Sequence, residues 1–162
     1  MKIGLMIEQL ADSEHELADK LMEVGERHAA DQDVFHLTKT LARIEQGHID
    51  ALAPHAERYD VQLERTADDP GPSRFERTVV EGGARLLRRR SEPALELLRD
   101  LRALHLLAAG ASLDWTALGQ AAQAAGDSRL LEVVTIGHSQ TLRTLKWTTY
   151  RLKEAAPQTL TS

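Results

Sequence analysis

Apolar side chains recur along this chain at spacings of three and four, the pattern of helices that bury one face. The first predicted helix runs from about residue 3 to residue 29, with Ile3, Met6, Leu10, Leu17, Leu21, Val24 and His28 on its stripe. Ala29 to Asp33 reads as a short turn, and Asp31 or Asp33 caps a second helix that ends near Tyr59. The stripe of that helix is Val34, Leu37, Leu41, Ile44, His48, Leu52 and His55. Ser91-Glu92-Pro93 opens a third helix, with Ser as N-cap and Pro in the first turn. Ala94, Leu97, Leu101, Leu104, Ala108, Ala111, Trp115, Leu118, Ala122 and Ala125 then alternate without a slip. That regularity predicts one helix continuous through Gly110, against the alternative of two shorter ones. Gly126-Asp127 supplies a stop and the next N-cap. The fourth helix runs from about residue 128 to residue 156 on Leu131, Val134, His138, Leu142, Leu145, Thr149, Leu152 and Ala156. Pro157 is expected to end it, leaving 157–162 as a loose tail.

Between about residues 60 and 91 the periodicity breaks, and Asp68-Asp69-Pro70-Gly71-Pro72-Ser73 is turn chemistry. A short helix is expected between Arg74 and Arg90, interrupted by Gly82-Gly83. A link this long exceeds a hairpin and suits a crossover along the whole length of a bundle. The expected architecture is therefore all-α: a four-helix bundle, up-down-down-up, with one long crossover between the second and third helices. A length of 162 residues suits one domain spanning 1–162.

Composition narrows the function classes. A net charge of −5 argues against nucleic acid as a default partner. The absence of cysteine excludes thiolate metal sites and cysteine nucleophiles, and suits a cytoplasmic protein. No apolar run approaches membrane-spanning length, and Asp12, Glu14 and Glu16 follow the apolar start too closely for a signal peptide. No nucleophile–histidine–acid arrangement or phosphate-binding glycine loop supports a hydrolase or a kinase. The cluster Arg85, Arg88, Arg89 and Arg90 reads as a solvated face.

The candidate chemistry lies at mid-helix. Glu45 falls about 40° to one side of Leu41 on the helical wheel and His48 about 20° to the other. Glu14 likewise shares the stripe of the first helix, between Leu10 and Leu17. A buried carboxylate is costly unless it is paired or bound to a metal. Helices of matched length place Glu14, the Glu45–His48 pair and His138 in one layer. On the third helix that layer holds Ala108, Ala111 and Ser112, while Asp100 and Asp114 fall off the stripe. Trp115 reads as a packing residue among small neighbours. His28 and His36 flank the first turn, and they, His15, His55 and His105 are assigned no role.

These residues resemble the ferritin-like superfamily, the rubrerythrin and bacterioferritin type of bundle. Its pattern is a Glu, a Glu-x-x-His, a crossover, a further Glu and a second Glu-x-x-His. Glu14 matches the first Glu, Glu45-Gln46-Gly47-His48 the first motif, and His138 the second histidine. Thr135 stands where the second motif has Glu, and the third helix has no carboxylate at its midpoint. The resemblance implies a carboxylate and histidine metal site with chemistry on oxygen or peroxide. The departures reduce the set to Glu14, Glu45, His48 and His138, enough for one divalent ion of Fe, Zn or Mn. The alternative is a hydrogen-bonded network of the same residues without metal, in a bundle that serves as a structural or interaction module.

A second apolar set on the fourth helix, Val133, Ile136, Trp147 and Tyr150, lies opposite the His138 stripe. Part of it is expected to lie under the crossover residues Phe75, Val79, Val80, Leu86 and Leu87. The rest is expected to form a homodimer contact.

Overall fold

A computed structural model describes residues 2–63 and 92–162. Among these the chain is wholly helical: α1 (Ile3–Arg27), α2 (Gln32–Arg58), α3 (Pro93–Ala125) and α4 (Ser128–Thr161). The crossover helix, the covering role of Phe75 to Leu87, the arginine cluster and the Ser91 cap lie outside the described residues.

Local chemistry accounts for the helix ends. The Asp31 side chain accepts a hydrogen bond from the Val34 N–H at 3.2 Å and starts α2. Asp127 does the same for Leu130 at 3.1 Å and starts α4. Gly126 ends α3 at φ 68°, in the left-handed region that glycine enters without steric penalty. α3 starts from Glu92, whose backbone is extended, and Pro93 occupies the first turn. The helix is continuous through Gly110.

The expected stop at Pro157 is corrected: α4 continues to Thr161. Proline costs the helix one N–H. Only that one bond is lost so close to the end of the helix, and the Thr159 and Thr161 hydroxyls add bonds to the carbonyls of Ala155 and Pro157 at 2.8 and 2.7 Å.

Hydrogen bonds between helices give their relative directions. Ser13 bonds Asp114 at 2.6 Å and Arg27 bonds Asp100 at 2.8 Å, so numbers rise on α1 as they fall on α3. Glu45 meets Thr144 at 2.9 Å and Arg58 meets Asp127 at 3.0 Å, so α2 and α4 also run oppositely. The apolar core falls into two clusters. Leu17, Leu21, Val24, Val34, Leu101 and Leu104 fill one end, and Ile7, Leu10, Leu52, Trp115, Leu118 and Leu130 the other. Each fully buried side chain of this size contributes about 1.5–3 kcal/mol. Between the clusters lies a polar layer.

The expected stripe of α2 is buried at Val34, Leu41, His48 and Leu52 and widened to one side, whereas α4 presents a different face from the expected one. On α2, Thr38, Glu45, Ile49 and Ala56 are buried, while Leu37, Ile44 and His55 are half-buried. On α4 the buried residues are Leu130, Val134, Gly137, Thr141, Thr144 and Thr148. That set is displaced by one residue, about 100°, from the stripe of leucines, and Leu142 is 48% exposed. The physical reason lies in what the polar layer requires.

Candidate metal centre

Glu14 of α1 and Glu45 of α2 are fully buried, and His48, one turn beyond Glu45, is nearly so. The periodicity that buries Leu10 and Leu17 carries Glu14 inward between them, and Ala42 and Ile49 flank Glu45 in the same way. One ligand atom from each of Glu14, Glu45 and His48 lies within 4.8 Å of the others. His48 Nδ1 is 3.0 Å from Glu14 Oε2 and 3.1 Å from Glu45 Oε2. Two ligands about 2.1 Å from a common ion stand about 3.0 Å apart in an octahedron and about 3.4 Å apart in a tetrahedron. The observed spacings need little change to hold an ion.

The other two helices supply donors. Trp115 Nε1 donates to Glu14 Oε1 at 2.5 Å, and the Thr141 hydroxyl donates to the same oxygen at 3.4 Å. The Thr144 hydroxyl donates to Glu45 Oε1 at 2.9 Å. Each carboxylate thus has one oxygen held by the protein and the other, Oε2, turned to His48. The rotation of α4 follows from this. Buried carboxylates without donors are costly, and threonines, not leucines, satisfy them. His48 Nε2 lies 2.6 Å from Gln140 Oε1. Because that oxygen only accepts, Nε2 carries the hydrogen and Nδ1 is the nitrogen left for a proton or a metal. An outer partner of this kind orients metal-bound histidines. The Trp115 ring meets the His48 ring edge to face, with centroids 5.4 Å apart.

Glu45 Oε2 is buried and has no hydrogen-bond partner among the described residues, although His48 Nδ1 is 3.1 Å away. The single Nδ1 hydrogen is committed to Glu14. Protons fill this deficit in the metal-free cluster. Burial raises the Glu14 carboxyl to about 8; the His48 hydrogen bond opposes the rise, and the neighbouring Glu45 adds to it. Burial also raises Glu45, but the neighbouring His48, the proton held on Glu14 and the Thr144 hydroxyl outweigh it and hold its carboxyl below the ordinary value. Burial alone would lower His48, but its bonds to the two carboxylates raise it to about 10. At neutral pH the cluster holds a proton on Glu14 and a second on His48 Nδ1, opposite an ionised Glu45.

His138, the expected fourth ligand, is not brought to the cluster. Its Nε2 lies 2.9 Å from the Ser112 hydroxyl, and Gly137 occupies the inward position instead. Trp115, expected to pack, also brings a donor from α3 to the polar layer. Gln140 and Thr144 went unread in the sequence. The signal for Thr144 was the spacing Gly137, Thr141, Thr144, Thr148, which is itself a helical stripe; Gln140 lies off that stripe and carried no such signal.

Asp100, read as off the stripe, is 5% exposed. It accepts from Arg27 and meets His28 Nε2 at 2.8 Å, binding the end of α1 to α3. His36 is exposed and packs on Phe35, so it does not meet His28.

Comparison with family models, curated proteins and solved structures gives no match. No described helix is long and apolar enough to cross a membrane.

Proposed function

We propose that the chain is a ferritin-like bundle, up-down-down-up with its long crossover between α2 and α3, that holds one divalent ion of iron, zinc or manganese on Glu14, Glu45 and His48. The observation that carries this reading is Glu45 Oε2, a buried oxygen without a donor, next to Glu14 Oε2 and His48 Nδ1. Two carboxylates and a neutral imidazole balance one divalent ion. A second ion would be left without countercharge, since α3 presents an indole to the layer. Three protein ligands leave a position for a small molecule, as in catalytic rather than structural sites. Reaction with oxygen or peroxide is the activity the ferritin-like resemblance implies.

Elemental analysis of protein expressed with iron, manganese and zinc available tests the proposal. The expected result is about one ion per chain, lost when Glu45→Ala and His48→Ala are combined. No metal after reconstitution with ferrous iron or zinc would remove it.

A second reading is favoured by the protons on Glu14 and His48, which satisfy the same lone pairs an ion would. In this reading the layer is a metal-free core network and the bundle serves as an interaction module. Its contact would be the outer face of α4, as a homodimer, where Ile136 and Tyr150 are 55% and 60% exposed. Val133 and Trp147 are half-buried against the core.

A further inference from the structure

A cleft of about 310 Å³ opens between α2 and α4 and reaches inward to His48 and Trp115. Ile44, Ala51, Val133 and Ile136 give it apolar walls. Its one uncommitted polar group is the Gln140 side chain. The Gln140 carbonyl oxygen is taken by His48 Nε2, and its amide nitrogen has no protein partner among the described residues. That nitrogen is a hydrogen-bond donor at the wall of the cleft. The volume matches about ten waters at about 30 Å³ each and lies at the lower end of small-molecule sites.

Gly47, in the cleft lining, is an exposed mid-helix glycine. Glycine inside a helix costs about 0.5–1 kcal/mol relative to alanine. A Cβ at Gly47 would meet nothing within 4 Å, so no packing contact requires the glycine. The cleft is open to solvent on this side. Gly137, also in the lining, is by contrast required by the fold, since a Cβ there would stand 2.5 Å from the Trp115 ring.

We propose that this cleft is a binding site for a small neutral molecule with an apolar body and one hydrogen-bond acceptor, such as an alcohol, ketone or amide. The body lies against Ile44 and Val133, and the acceptor takes the Gln140 amide hydrogen. A cation finds no carboxylate in the lining, and an anion finds only His48, whose hydrogens are already given to Glu14 and Gln140. Occupancy needs no metal, so the site stands apart from the ion-binding proposal.

The test uses the full chain with Trp147→Phe, which leaves Trp115 as the single indole reporter. Cyclohexanol is titrated while the Trp115 indole N–H resonance is followed. Cyclohexylammonium, of the same body but charged and without an acceptor, is the comparison. The expected result is a saturable shift with cyclohexanol, the same in chelator-treated and metal-loaded protein, and at least tenfold weaker binding of the cation. Gly47→Leu fills the cleft and weakens cyclohexanol at least tenfold while thermal melting shows a fold as stable as the parent's. Ala51→Leu, at another exposed lining position, repeats the test from a second side. No saturable shift, equal binding of the cation, or unchanged affinity in both filled variants would overturn the proposal.

Discussion

Trp115 acts through two parts of one ring system. Its carbon face packs in the apolar cluster at one end of the bundle, and its N–H holds Glu14 Oε1. Trp115→Phe keeps most of the packing and removes the donor, leaving only the 3.4 Å contact from Thr141 on that oxygen. The expected loss is about 1–3 kcal/mol, read by chemical denaturation. The protons of the layer set a second expectation. The unfolded Glu14 titrates at 4.5 and the folded one at about 8, so its contribution is complete below 4.5 and is lost as pH rises to 8. His48, raised from 6.5 to about 10, loses its contribution across that higher window. Glu45, held low, acts oppositely and loses its contribution as pH falls below its ordinary 4.5. Metal-free protein therefore weakens from mildly acidic toward alkaline pH. The fall is steepest between 6.5 and 8, where the folded state holds more than one extra proton. Denaturation curves across pH check it. An ion must displace both protons, so its affinity rises over the same window by up to about a hundredfold per pH unit. Glu14, Glu45 and His48 were legible in the sequence because a charged group on an apolar stripe is anomalous. The indole donor and the Gln140 acceptor were not, because which edge of a side chain faces a neighbour depends on the packing of two helices.

At the scale of the element, α4 is the informative case. Its leucines and its glycine–threonine stripe are two periodic faces one residue apart, and hydrophobicity alone selects the leucines. Burial follows the threonines because two acids across the core need hydroxyl donors, a demand that α4's own sequence does not contain. The same displacement turns His138 away from the layer and brings Gly137 in. Gly137→Ala sets a methyl group against the Trp115 ring, 2.5 Å from its nearest carbons. Overpacking of this kind costs about 1–3 kcal/mol. Because the displaced ring carries the Glu14 donor, the variant should also weaken metal retention, read by chelator competition alongside thermal melting. α3, by contrast, was legible almost in full, since its small and large apolar residues leave one consistent phase and Gly110 falls on its outer side. The end of α4 was not, because a proline so near the end of a helix removes only one bond.

At the scale of the whole molecule, the two apolar clusters hold the helices together and the polar layer lies between them. Charged contacts pin the margins. Asp100 joins α3 to the end of α1, and its loss is expected to be felt well beyond its own turn. Asp100→Asn removes the buried carboxylate that meets Arg27 and His28, while Arg27 keeps Glu23, and is expected to cost about 1–3 kcal/mol, measured by denaturant titration. Such a partner was not legible, because Asp100 sits beside the α3 stripe and its cation comes from 73 residues earlier in the chain.

The margins of α2 and α4 are fastened in the same manner, Asp31 to Arg151 at one end and Arg58 with Tyr59 to Asp127 at the other. Between these two fastenings the helices meet less closely than any other neighbouring pair. The seam is therefore fastened at its ends, and at its middle it is joined by the polar contacts of Glu45 with Thr144 and of His48 with Gln140. Its consequence belongs to time rather than to affinity. An ion or small molecule that enters along this seam is expected to part those two middle contacts and neither apolar cluster. The residence time of whatever occupies the layer is then expected to follow the lifetime of two hydrogen bonds rather than the lifetime of the folded chain.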